Sequence, residues 1–551
     1  MKTYGIYVCY PPTVDMRNEG LGRYLAAFIK GAENIDGVNF KIVCPSWSKD
    51  GLNLLFESEG VSLNKVSITS PDEEPIILKV FNFVRKIKRK RADSKKNRLQ
   101  KLVDFAYFKI EQRLNKLSIR LASSYKITSL GPAVLEAMIL FLIAIVAMPF
   151  AAVFGISWVI LKKMRESRHF SLLKKALKKI HRTLDNPKNE GFVVSLYNSM
   201  VEAESERMLG LIKEISNIHA WYTPTAFWES FTMIDAPKLI CVPDVVLTRF
   251  PGGFSDVGGE RFFNTFKAIQ RTINQNDYFV TYSDDVKVKT LVEHYNVDEN
   301  NVYVIKHAPN QLDKWLVVNG FPDAKASTRF YAEKLLLVAL SKQRDPYVNG
   351  IGAGFKFLFY ASQLRPNKNV ITLLKAYNYL LKKKFIHQKL VLTGTRDVLK
   401  SVSDYIKENE LDRDVLFLSG LSVQELAACY KLADLSVNPT LSEGGCPFTF
   451  TESLSVDTPV VMGRIGVTEE VLSDPKLQDM TFFDPYDWMS IADKIEWALD
   501  NLDSLRDVQL ETYQKLISRS WEDVVGEHIS AMNEVAERFH AERGTFIEKR
   551  N

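Results

Sequence analysis

The chain has 551 residues, 46% of them hydrophobic and 25% charged, which is too long for one hydrophobic core and too apolar for a disordered chain. Its net charge of +6 is unevenly spread: fifteen Lys and Arg against three acids between 85 and 126, and nine against one between 162 and 182, leave the remainder net acidic. Five scattered cysteines, Cys9, Cys44, Cys241, Cys429 and Cys446, show no CxxC pair and no His partner at ligand spacing, which excludes a disulfide scaffold or a zinc site and predicts a reducing compartment.

The first apolar run stops at Pro11 and Pro12, too early for a signal peptide, so it reads as an opening β-strand over 4–10 and the protein is expected to begin in the cytoplasm. A helical pattern over 20–32 and a strand over 40–44 follow, which is the start of a βαβ sheet in residues 1–74. Residues 75–190 then interrupt this pattern. Within them 133–161 is apolar with Glu136 its only charge, long enough for the roughly 20 residues of a membrane span. Basic flanks on both sides, and strands before and after that must share one sheet, predict instead a re-entrant or interfacial insertion bent near Pro149 and Gly155, with 85–182 facing an anionic membrane surface. A buried pair of core helices is the competing reading. Nucleic acid is not an expected partner, because no binding motif is visible and no aromatics interleave with the basic runs.

The βα style resumes over 191–340, with strands expected at 239–242, 278–282 and 302–305. After a polar stretch a second series fills 350–500, with strands at 357–361, 389–393, 415–418, 435–438, 459–462 and 481–483; helices over 501–551 are expected to cross back to the first domain. The predicted fold is therefore α/β, two Rossmann-like domains facing across a cleft, with ligands at the carboxyl ends of the strands.

Two segments at such strand ends carry chemistry. Ser362, Gln363, Leu364, Arg365, Pro366, Asn367, Lys368 and Asn369 form a turn before a helix from Val370, where two cations and free helix-end N–H groups face an anion. A solvated turn with two surface cations is the alternative. The second runs from Asn438 to Ser453: Glu443, the adjacent Gly444 and Gly445, then Cys446, Pro447, Phe448 and Glu452. The glycines permit close backbone approach, the carboxylates can accept from sugar hydroxyls, and Glu452 is expected to open a helix, where an acid is also favoured by the helix dipole alone.

Together these residues resemble glycosyltransferase family 4, the group 1 glycosyltransferases, retaining enzymes of the GT-B fold. Residues 361–369 are similar to the family's phosphate turn, 421–434 to the helix before its donor loop, Glu443 and Glu452 to its paired glutamates, and Phe483, Asp484, Pro485, Tyr486 and Asp487 to its late turn. Glu19, Gly20, Leu21, Gly22, Arg23 and Tyr24 resemble more faintly its glycine loop after the first strand. The resemblance implies that Arg365 and Lys368 hold a donor diphosphate, Glu443 the transferred sugar and Glu452 the ribose. Gly444, Gly445, Cys446, Pro447 and Phe448 would line the sugar pocket, with Gly20 and Gly22 bordering the phosphates. It implies a UDP- or GDP-linked sugar, no metal, and transfer of a hexose to a glycan or lipid-linked acceptor of a surface polysaccharide, at the cytoplasmic face of a membrane.

Two departures stand out. The spacing from Glu443 to Glu452 is one residue longer than the common pattern, and Pro243 precedes Asp244 where the family often has His. Proline can neither donate nor accept a proton, so either that His is not needed for catalysis or the acceptor side is rebuilt around Asp244, for which a loop-capping acid is the competing reading. The same departures motivate a non-catalytic scaffold or sugar-nucleotide sensor as the alternative function.

Overall fold

The computed structural model describes residues 1–12, 14, 16, 20–76, 78–79, 135, 138, 192–249, 260–320, 323–445 and 448–548. The chain divides into two compact units, Met1–Pro71 with Ser205–Asn551, and Asp72–Glu204. The insertion expected at 75–190 lies almost wholly outside the described residues, and so does its apolar segment except for Leu135 and Met138, which are helical and exposed. Among the described residues no helix is long and apolar enough to cross a membrane.

The larger unit holds two parallel sheets. The first has seven strands in the order β3-β2-β1-β4-β5-β6-β7, formed by β1 (Lys2–Tyr7), β2 (Val38–Val43), β3 (Val66–Thr69), β4 (Ile218–Thr223), β5 (Lys238–Cys241), β6 (Phe279–Thr281) and β7 (Val302–Val304). Strand β1 pairs with β2 from Lys2↔Val38 to Tyr7↔Val43, and on its other edge with β4 through Gly5↔Trp221 and Ile6↔Tyr222. The chain before and after the insertion thus builds one sheet. Central strand β4 was not among the sequence-predicted strands, because Ile218, His219, Ala220, Trp221, Tyr222 and Thr223 form neither an aliphatic run nor a clean alternation.

The second sheet has six strands in the order β10-β9-β8-β11-β12-β13: β8 (Phe357–Tyr360), β9 (Lys389–Thr393), β10 (Val415–Leu418), β11 (Leu435–Asn438), β12 (Val460–Gly463) and β13 (Phe482–Phe483). All six match predicted strands to within a residue or so, since most are short runs dominated by buried apolar residues. The strand order reverses between β8 and β11, as it does between β1 and β4 in the first sheet. Loops leaving adjacent strands in opposite directions open a crevice at their carboxyl ends, and this is where such sheets bind ligands.

The final helix, Trp521–Glu548, returns to the first sheet: Val524, Val525, Ala531, Met532 and Val535, spaced for one helical face, are buried in that sheet's core.

Candidate functional site

The chain after β8 turns through a short 3-10 segment, Pro366–Lys368, into the helix Val370–Lys383. Asn369 takes the left-handed conformation between them at φ 55°, which asparagine tolerates better than most residues. Its amide donates to the carbonyls of Pro439 (3.0 Å) and Pro485 (2.6 Å), and its Oδ1 accepts from Thr372 Oγ1 at 2.6 Å. One buried side chain thereby ties the β8 turn to the loop after β11 and to the late turn after β13. The backbone repeats the tie, with Leu441 N donating to Asn367 O at 2.9 Å.

This stitching sets the two candidate segments side by side. Lys368 Nζ lies 2.5 Å from Glu443 Oε1, each side chain only 20% exposed, so the pair is shielded from bulk water yet open on one side. Arg365 is exposed at the same turn and donates from Nη2 to Gln363 Oε1 at 2.7 Å. Below them Tyr360 donates to the Lys368 carbonyl at 3.2 Å; burial, then the Glu443 charge, push its phenol well up.

Glu452 does not open its helix as expected. The helix is Phe448–Ser455, so Glu452 lies in its second turn, buried, and the helix dipole does not account for an acid there. Its Oε1 accepts from Asn310 Nδ2 at 3.2 Å, a donor from the segment that follows β7. Burial, then the Glu452 charge, raise the phenol of neighbouring Tyr430, while Arg23, at the start of the helix Gly20–Gly31, pulls it the other way.

The two domains meet at the glycine pair. A Cβ on Gly444 would stand 2.0 Å from the carbonyl oxygen of Pro243 and 3.3 Å from Asp244 N; one on Gly445 would stand 2.9 Å from His307 Nε2. Ser283 Oγ donates to Gly444 O at 2.9 Å, and Lys306 Nζ pairs with Glu470 at 2.9 Å. Pro243 and Asp244 thus face the glycine turn directly, Pro243 through its carbonyl. Of the earlier glycines, Gly22 is sterically required, its Cβ falling 2.0 Å from Met16 O, whereas Gly20 has open space. Cys446 and Pro447 lie outside the described residues.

Arg365, Lys368, Glu443, Gly444, Gly445, Phe448, Glu452 and Asp244 therefore gather at one interdomain seam. Sequence reasoning gave His307, Asn310 and Ser283 no role at the site. Each follows a first-domain strand, β7 for two and β6 for the third, a position where α/β sheets place ligand-binding residues. The His307 ring packs on Phe448 at 4.4 Å between centroids and edge-on to Tyr282 at 5.5 Å, and burial pushes its imidazole down to about 4. Among the described residues no group of three or more His, Cys, Asp or Glu side chains is placed to hold a metal ion.

Residues 341–516 match the family model described as Glycosyl transferases group 1. The O-antigen chain mannosyltransferase RfbU of Salmonella typhimurium is 24% identical over 270 residues, a match spanning 48% of this chain and 62% of the relative's length. Among solved structures, the N-terminal domain of the Candida albicans trehalose-6-phosphate phosphatase aligns with a TM-score of 0.54 at 11% identity, over 97% of each chain. A glycosyltransferase from Rickettsia africae aligns over 97% of this chain and 98% of its own at 13% identity, with a TM-score of 0.49.

Proposed function

We propose that this protein, whose residues 341–516 match the group 1 glycosyltransferases and whose two parallel sheets have the GT-B architecture, transfers a hexose from a nucleotide diphosphate sugar to a glycan or lipid-linked acceptor, with retention. The observation that carries the proposal is the Lys368–Glu443 pair at the crevice between β8 and β11. Cation and carboxylate stand 2.5 Å apart and neutralise each other. A bound donor would separate their duties, its β-phosphate taking Lys368 and its sugar hydroxyls taking Glu443.

When the bond from the anomeric carbon to the diphosphate oxygen breaks, the electron pair leaves with the diphosphate, and the growing charge falls on Lys368 and Arg365. Preorganised cations in a partly dry site stabilise such charge more strongly than water does, and they take the part a divalent metal plays elsewhere. Glu452, held by Asn310, would accept from the donor ribose. Asp244, at the glycine turn, stands on the acceptor side, where the incoming hydroxyl must lose its proton. The relative's O-antigen assignment supports a surface polysaccharide as the product, made at the cytoplasmic face of a membrane that 85–182 would contact.

The test is transfer from a panel of UDP- and GDP-linked sugars by the full chain and by Lys368→Ala. Loss of one such electrostatic contact costs about 10²–10³ in kcat. Near-normal transfer by Lys368→Ala would remove the mechanism, and donor binding without turnover by the wild type would point to a scaffold or sensor.

A further inference from the structure

His307 has no part in the reading above, yet it stands at the seam between the domains. It follows β7 of the first sheet, and its ring covers Phe448, the first residue of the helix that carries Glu452, at 4.4 Å and an interplanar angle of 35°. Its Nε2 fills the space that a side chain at Gly445 would need. Tyr282, following β6, backs the ring edge-on. His307 also lines a cavity of about 170 Å³ together with Lys306, Thr451, Lys515 and Arg519. One ring therefore touches both the glycine turn beside Glu443 and the helix beyond it.

We infer that His307 is a positioning residue for the proposed transfer, holding Gly445 and Phe448, and with them Glu443, at the geometry a donor sugar requires. This rests on the transferase reading and deepens it. A loop that must place a carboxylate on a sugar hydroxyl needs support from rigid neighbours, because a displacement of about 1 Å is enough to cost rate. The imidazole supplies flat contact area without adding charge. Burial is the largest influence keeping it neutral and Arg519 acts in the same direction; the backbone at Ala308 and the Glu443 charge oppose them. Lys306 and Lys515 line the same cavity, with Lys306 already paired to Glu470. A neutral ring leaves Lys368 as the counter-ion of Glu443, free to exchange it for phosphate.

The experiment compares His307→Ala and His307→Gln with wild type in the full chain. Glutamine keeps a flat polar group against Phe448 but cannot exchange a proton near neutrality. Loss of the flat contact on Phe448 should raise the donor KM about tenfold in His307→Ala, with kcat changed less, and His307→Gln, which keeps a planar group there, should recover part of it. Hydrogen exchange in residues 441–455 should quicken in the alanine variant only. The wild-type rate profile between pH 5 and 8 should contain no limb that His307→Ala removes. Unchanged exchange and unchanged KM in His307→Ala overturn the inference. So does a glutamine variant as inactive as alanine together with loss of a limb near pH 6.5, which would make the ring a proton carrier. Should no donor be turned over by the wild type, the transferase reading fails, and the exchange measurement still decides whether His307 orders the loop.

Discussion

Substituting Gly444 by alanine tests the interdomain seam most directly. The new Cβ would lie 2.0 Å from the Pro243 carbonyl oxygen, about 1.5 Å inside ordinary contact distance. The obstacle is backbone, so no rotamer change relieves it, and the 2.9 Å bond from Ser283 Oγ to Gly444 O is lost as the surfaces part. Overpacking of this kind costs about 1–3 kcal/mol, and here it penalises only the arrangement in which Glu443 faces the first domain. With about 1.4 kcal/mol for each tenfold, kcat/KM for transfer should fall roughly tenfold or more. The melting temperature should change little if the domains simply separate. Steady-state transfer measured beside a thermal melt checks this, with Gly210→Ala as control, since nothing lies within 4 Å of a Cβ at that helical position. A Gly444→Ala enzyme with wild-type kcat/KM would refute the claim that this contact belongs to the working site.

The other predictions use different handles. Glu443→Gln should weaken donor binding and, by releasing Lys368 from its 2.5 Å partner, raise the affinity for inorganic pyrophosphate; isothermal titration with both ligands reads the opposite signs. His528 is fully buried, its Nδ1 bonded to Val524 O at 2.8 Å, so its Nε2 accepts from Tyr24 OH at 3.3 Å. Burial lowers its pKa from 6.5 to about 4, so its contribution to stability is complete above pH 6.5 and lost as pH falls toward 4, a loss of roughly 3 kcal/mol. Urea unfolding at pH 7 and pH 4.5 should show that loss, and His528→Gln should reduce it. The thiols of Cys241 and Cys429 are buried and pushed upward, that of Cys241 to about 12, so neither should react with iodoacetamide before unfolding; mass spectrometry of the labelled native protein checks it.

The second sheet could be read from the chain almost strand by strand, because most of its strands are short, predominantly apolar runs and its turn residues sit directly after them. Arg365, Lys368 and Glu443 could be picked out for the same reason. The first sheet was legible only in part. Strand β4 hides its burial among His219, Trp221 and Thr223, and its neighbour in the sheet, β1, lies more than two hundred residues earlier. The helix that carries Glu452 was expected one turn too late, since local acid preference at helix starts outweighed the packing of Phe448 and Phe450.

What the linear chain determined by itself was local: strand periodicity, the turns that follow strands, and the charged residues set on those turns. What only the tertiary structure decided was proximity across long separations, Lys368 to Glu443, Asn310 to Glu452, and Pro243 and His307 to the glycine pair. The reason is physical. Periodicity follows from hydrogen bonding between near neighbours, whereas the meeting of two sheets depends on which surfaces can approach within contact distance. At this seam that was decided by the absence of two side chains, at Gly444 and Gly445.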